Sequence, residues 1–207
     1  MNTDHVPHIA DDRGRRNNND LFRPDRLDVI FTKTKIDGVL VVELEPRRDE
    51  RGFFARQWCA DEFTSAGLNP AIAQINTARS TSVGTLRGLH FQVAPHAEAK
   101  LVRCTRGAVF DVAVDLRAGS PTFRQWFGMD LDAESGRMLY IPDGCAHGYM
   151  TLEPNTDLAY QSSVPYAPKS ARGLRYDDPA FGIVWPEPVK VISHQDLNWP
   201  GFLVDAN

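Results

Sequence analysis

The sequence predicts an all-β protein, a double-stranded β-helix jelly roll with only a few short helices. Three observations predict it. Runs of β-branched and aromatic residues recur at a spacing of roughly 8–12 residues. Turn signals such as Ser120-Pro121, Pro142-Asp143-Gly144 and Glu153-Pro154-Asn155 separate them. Helical periodicity is weak throughout, and only the segment around residues 60–66 suits a short helix, about two turns long.

From Val29 onward the pattern is one of strands. Residues 38–44 are a β-branched run closed by Pro46, and Asp49-Glu50-Arg51-Gly52 is a turn leading into Phe53 and Phe54. Residues 84–91 form a strand entering a loop around Pro95, and residues 100–106 form one that stops at Gly107. Residues 108–116 alternate most clearly. Phe110, Val112, Val114 and Leu116 lie on one face, with Val109, Asp111, Ala113 and Asp115 on the other. Strands over 122–131, 138–141, 148–152 and 157–163 complete the series. The turn spacing favours a jelly roll of the cupin kind, although another antiparallel sandwich has the same periodicity.

Residues 1–26 are polar, with clustered Asp, Arg and Asn, and read as a flexible N-terminal extension ahead of a single domain over 27–207. The 23 Lys and Arg against 27 Asp and Glu leave a net charge of −4. That balance argues against a nucleic-acid partner but leaves room for a local anion site. No run approaches the ~18 apolar residues of a membrane span, and the N-terminus lacks the apolar core of a secretory leader. Cys59, Cys104 and Cys145 show no CxxC spacing, as expected of reduced thiols. The expectation is a cytoplasmic protein without a membrane partner.

A cupin-like barrel prompts a search for metal ligands. None of His5, His8, His90, His96, His147 and His194 forms an HxH pair, so the expectation is no metal site. What remains is His90, near the end of an apolar strand beside Arg87, and Lys100, which opens the next strand. The short connection between them makes them candidates for neighbours across a hairpin. A His and a Lys in one cavity suit a general base and an oxyanion-stabilising cation. A hydrogen-bonded core His and a Lys with a packed stem fit the same pattern.

Several ordered motifs give the sequence a specific likeness. Asp49-Glu-Arg-Gly-Phe-Phe54, Arg87-Gly-Leu-His-Phe-Gln92, Lys100-Leu-Val-Arg103 and Asp111-Val-Ala-Val-Asp-Leu-Arg117 are four of them. Ser120-Pro-Thr-Phe123, Ile141-Pro-Asp-Gly-Cys-Ala-His-Gly148 and Ile183-Val-Trp-Pro186 follow. Together, over about residues 29–196, they resemble the dTDP-4-dehydrorhamnose 3,5-epimerase family.

The resemblance implies a jelly-roll homodimer, needing neither metal nor cofactor, that inverts C3 and C5 of a nucleotide-linked 4-keto-6-deoxyhexose. Both carbons lie α to the C4 ketone, so a base can remove a proton from one face and an acid return one to the other. By this likeness His90 is the base, Asp196 its dyad partner, Lys100 the cation at the enolate oxygen and Tyr160 the phenol that reprotonates carbon. Arg51 and Arg87 match diphosphate-holding residues, a task suited to the guanidinium fork. Gln74 and Asn76, which alternate onto one face, match nucleoside contacts, with Phe54, Arg56 and Tyr166 also on the substrate side. His147 matches a cavity-wall group with an equally plain structural role. Arg51 is expected to serve the partner's cavity, because family members exchange N-terminal strands.

Two positions depart from the family pattern. Arg56 stands where the family carries an acidic residue, which suits a base with an acceptor at N3, such as cytosine, better than thymine. Ser162-Ser-Val-Pro-Tyr166 has Pro165 where an aromatic pair is usual. Three readings follow: a dTDP-sugar 3,5-epimerase, the same chemistry on a CDP- or other nucleotide sugar or at a single carbon, and a non-catalytic nucleotide-sugar binding module.

Overall fold

A computed structural model describes residues 28–202. The expected extension over 1–26 lies outside the described residues. Fourteen strands run β1 Val29–Lys33, β2 Leu40–Leu44, β3 Arg47–Asp49, β4 Gly52–Phe54, β5 Gln74–Ser80, β6 Thr85–Gln92, β7 Lys100–Arg106, β8 Ala108–Asp115, β9 Trp126–Asp132, β10 Met138–Ile141, β11 Cys145–Thr151, β12 Thr156–Ser162, β13 Ala171–Gly173 and β14 Val191–Ile192. The helices are α1 Ala60–Ser65 and α2 His194–Leu197. One sheet has the order β1-β2-β10-β7-β12-β5; the other has β13-β6-β11-β8-β9, with β14 parallel to β6. From β5 to β8 and again from β9 to β13 successive strands alternate between the two sheets, which makes the structure a jelly roll, as the sequence predicts.

Apolar residues of both sheets meet in a shared core. Val102, Cys104, Leu139 and Leu158 come from the first sheet, with Val109, Ala113, Leu131 and Tyr149 from the second. Both outer faces are covered as well. Phe63 of α1 packs with Leu40, Leu101 and Tyr140 on one side, and Phe181 and Leu174 pack with Val112 and Val114 on the other. This is why β8 is apolar on both of its alternating faces: each face enters a different layer of core.

Several strand bounds differ from expectation. The strand expected from Thr122 begins at Trp126. The Asp115 carboxylate folds the preceding loop onto itself, accepting from Arg117 Nε at 2.8 Å, Ser120 Oγ at 2.5 Å and Thr122 Oγ1 at 2.8 Å. β11 begins earlier than expected, at Cys145, and β5, β13 and β14 carry little apolar signal. The placement of His90 and Lys100 across a hairpin is also corrected. β6 and β7 belong to opposite sheets, so the two residues meet across the sandwich.

Candidate active site

A cavity of about 530 Å³ opens between the sheets. Gln74, Asn76, Lys100 and Tyr160 line it from the first sheet, and Arg87, His90, His147 and Tyr149 from the second. A regular pleat would put Arg87 and His90 on opposite faces, since they are three residues apart. The β6–β11 register supplies the correction. His147 pairs with His90 and Tyr149 with Arg87, so one extra residue of β6 is inserted opposite Gly148. Gly88 has φ +133° and lies so close to Gly148 that a Cβ would sit 2.5 Å from its Cα. Only glycine fits there, and the resulting bulge turns both cationic and basic side chains inward.

His90 Nε2 lies 2.6 Å from Asp196 Oδ1. Ser193 caps α2 by accepting the Asp196 N–H at 3.0 Å, which fixes the carboxylate's backbone. Trp199 Nε1 donates to Oδ1 at 3.1 Å and the Gly88 N–H to Oδ2 at 3.4 Å. Burial would raise the Asp196 pKa, but His90, Trp199 and Gly88 together hold it below the usual carboxylate value. An ionised carboxylate only accepts, so Nε2 carries the imidazole proton and Nδ1 is left as a base.

Lys100 Nζ approaches the His90 carbonyl oxygen at 3.4 Å and Glu98 Oε1 at 2.8 Å. Burial, reinforced by the Glu98 charge and opposed by Arg87, raises the Tyr160 phenol pKa. The phenol is therefore a proton donor at neutral pH. His147 Nε2 sits 2.8 Å from Asp111 Oδ1, and its ring stacks on Tyr149 at 6.2 Å. Arg87 is tethered by donating to the Arg79 carbonyl at 3.1 Å and to Ser80 Oγ at 3.4 Å. Gln74 Oε1 accepts the Tyr166 N–H at the rim, where the Tyr166 ring is exposed.

Arg51, Phe54 and Arg56 are not among the residues lining this cavity. Arg51 and Phe54 lie in the β3–β4 hairpin, which pairs with neither large sheet. Arg51 is exposed and bound to Asp49, and Phe54 is 68% exposed. Arg56 Nη1 lies 2.7 Å from Glu62 Oε1. Sequence reasoning missed Glu98, Trp199 and Gln195 in the cavity wall and Asp111 as the partner of His147. A charge inside an apolar strand was the available signal for Asp111; Trp199 had none. Among the described residues, no group of three or more His, Cys, Asp or Glu side chains is placed to hold a metal ion, and no helix is long and apolar enough to cross a membrane.

Fold and cavity together define a jelly-roll protein built for acid–base work on an anionic small molecule. A family model for dTDP-4-dehydrorhamnose 3,5-epimerase matches residues 33–203. The chain is 45% identical over 160 residues to a dTDP-4-dehydrorhamnose 3,5-epimerase of Sinorhizobium fredii, covering 76% of this chain and 82% of that protein. The crystal structure of the Elizabethkingia anophelis enzyme of that name superposes with a TM-score of 0.82 at 37% identity, covering 84% of this chain and 96% of that one. A Legionella pneumophila dTDP-6-deoxy-D-glucose-3,5-epimerase, solved in complex with dTDP-4-keto-L-rhamnose, superposes with a TM-score of 0.78 at 39% identity, covering 84% and 93%. The chain belongs to the dTDP-4-dehydrorhamnose 3,5-epimerase family.

Proposed function

We propose that this protein converts dTDP-4-dehydro-6-deoxyglucose to dTDP-4-dehydrorhamnose by inverting C3 and C5. The observation that carries the reading is the pair of His90 on β6 with Asp196 of α2, opposed by Lys100 and Tyr160 on the other sheet. His90 Nδ1 takes the proton from the carbon α to the ketone, and the electron pair moves onto the C4 oxygen. The Lys100 ammonium stabilises that enolate oxygen, and Asp196 stabilises the imidazolium. Tyr160 O–H then protonates the carbon from the opposite face; the phenolate recovers a proton from solvent and the His90 imidazolium gives its own up to solvent, which resets both groups for the second carbon. Each positioned acid or base supplies on the order of 10²–10⁴ in rate. Arg87, with Arg51 from a second copy in a homodimer, holds the diphosphate; Gln74, Asn76 and Tyr166 hold the nucleoside, and His147 shapes the wall.

The reading is metal- and cofactor-independent, because proton transfer next to a ketone needs only these groups. It places the enzyme in the cytoplasm, in keeping with its free cysteines. Solvent-deuterium uptake followed by NMR tests it: label enters C3 and C5 of the dTDP sugar. Label at one carbon alone would make this a single-carbon epimerase, and label at neither would refute epimerisation and leave a binding module. A thermal-shift comparison of dTDP with CDP tests the nucleotide, with the larger shift expected for dTDP.

A further inference from the structure

We infer that Trp199 is a positioning residue for the His90–Asp196 pair, its indole N–H fixing the carboxylate oxygen that His90 uses. The inference rests on the epimerase reading above and goes beyond it.

Three contacts support it. Trp199 Nε1 donates at 3.1 Å to Asp196 Oδ1, the same oxygen that meets His90 Nε2 at 2.6 Å. The indole also stands edge-on to the imidazole, with centroids 6.3 Å apart at 71°. Finally, the ring lies flat against the chain at Gly173, where a Cβ would come within 2.1 Å of it. Gly173 is paired with His90 in the β13–β6 register. The backbone beside the base is thus kept bare so that the indole can rest on it.

The segment carrying Trp199 is held at both ends. Ser193 caps α2 before it, and beyond it the Phe202 N–H donates to Asp178 Oδ2 at 2.5 Å while the Phe202 ring packs on Phe181 at 5.2 Å. Arg175 N–H donates to the Pro200 carbonyl at 3.3 Å. The indole therefore has one position, and through it the carboxylate has one orientation. A second donor on Oδ1 also draws charge onto the oxygen that His90 uses and helps hold the Asp196 carboxylate ionised. The other ionisable groups around the pair are Lys100 at the His90 carbonyl with Glu98 behind it, Arg87 on the same strand, and His147 opposite His90.

Trp199→Phe keeps an aromatic, though smaller, ring and removes the N–H donor. Two readouts are taken on the full chain: steady-state epimerisation, and the titration of His90 by NMR on 15N-histidine-labelled protein, assigned with His90→Asn. The expected result is a kcat lower by about tenfold, the scale of one lost hydrogen bond to an ionised group, with KM near wild type. The His90 titration midpoint and the acid limb of the rate profile move to lower pH. Wild-type titration in Trp199→Phe, whatever its kcat, would overturn the inference and leave Trp199 as packing alone. Should that variant fail to fold, wild-type protein serves instead: one indole N–H resonance of the four tryptophans should follow the His90 titration, and none doing so would overturn it equally. The NMR readout needs no turnover, so wild-type protein inactive on every 4-keto sugar would sink the epimerase reading while leaving the Trp199 contact tested on its own.

Discussion

Glu98 and Lys100 form an ion pair of 2.8 Å inside the cavity, with both side chains about nine-tenths buried. A buried ammonium is tolerated only with a partner, and here the partner is on the same short approach to β7 as the lysine itself. Glu98 also bears on Tyr160, reinforcing the protonated phenol. One carboxylate thus bears on both Lys100 and Tyr160, the two residues that the proposed mechanism sets at the ketone.

Glu98→Gln should therefore destabilise the fold by about 1–3 kcal/mol, since the ammonium stays buried with only a neutral partner. Urea unfolding of the variant beside wild type measures it, and equal midpoints would contradict the argument.

His90→Ala should lower epimerisation by several orders of magnitude, at least the ~10²–10⁴ of a general base, while dTDP still raises the melting temperature. Retained turnover would return the binding-module reading to first place.

Tyr160→Phe keeps the base and removes the acid of the opposite sheet. Deuterium should still exchange into the substrate through His90, while net inversion falls by on the order of 10²-fold or more. NMR of recovered sugar separates exchange from inversion in one experiment.

Arg51 and His90 should complement each other between subunits. If Arg51 reaches the partner's cavity, Arg51→Ala and His90→Ala are each impaired, but mixed dimers hold one intact site and regain activity. No recovery on mixing would place Arg51 in its own subunit's site or outside any site.

Asp115 gives a pH dependence. Burial raises its pKa, but hydrogen bonds from Arg117, Ser120 and Thr122 outweigh this and lower it from 3.8 to about 2. A depressed value means the unfolded chain binds the proton more readily. Its contribution, on the order of 2 kcal/mol, is fully present above about pH 4 and is lost as pH falls through about 2. Asp115→Asn should be less stable than wild type at pH 6, with the gap closing towards pH 2 in urea unfolding.

Much of this was legible in the sequence because it depends on local rules. Alternation in β8, the stop at Gly107 and the Pro-Asp-Gly turn each announce themselves within a few residues. β5 was not announced: Gln-Ile-Asn-Thr-Ala-Arg-Ser is a cavity rim and sheet edge, so its alternation is mostly polar. Family motifs pointed to His90, Lys100, Tyr160 and Asp196 as separate residues, but no periodicity links β6 to α2, 106 residues later.

By itself the sequence determined the strand-and-turn series, the jelly-roll class and the residue types for acid–base chemistry, because pleat period and turn propensity act over a few neighbours. Only the tertiary structure decided which of those residues meet. It set His90 and Lys100 on opposite sheets, used a glycine bulge to turn Arg87 and His90 to one side, left Arg51, Phe54 and Arg56 outside the cavity lining, and brought Glu98 and Trp199 in. Those outcomes depend on sheet order and register, which packing of both faces selects over the whole chain at once.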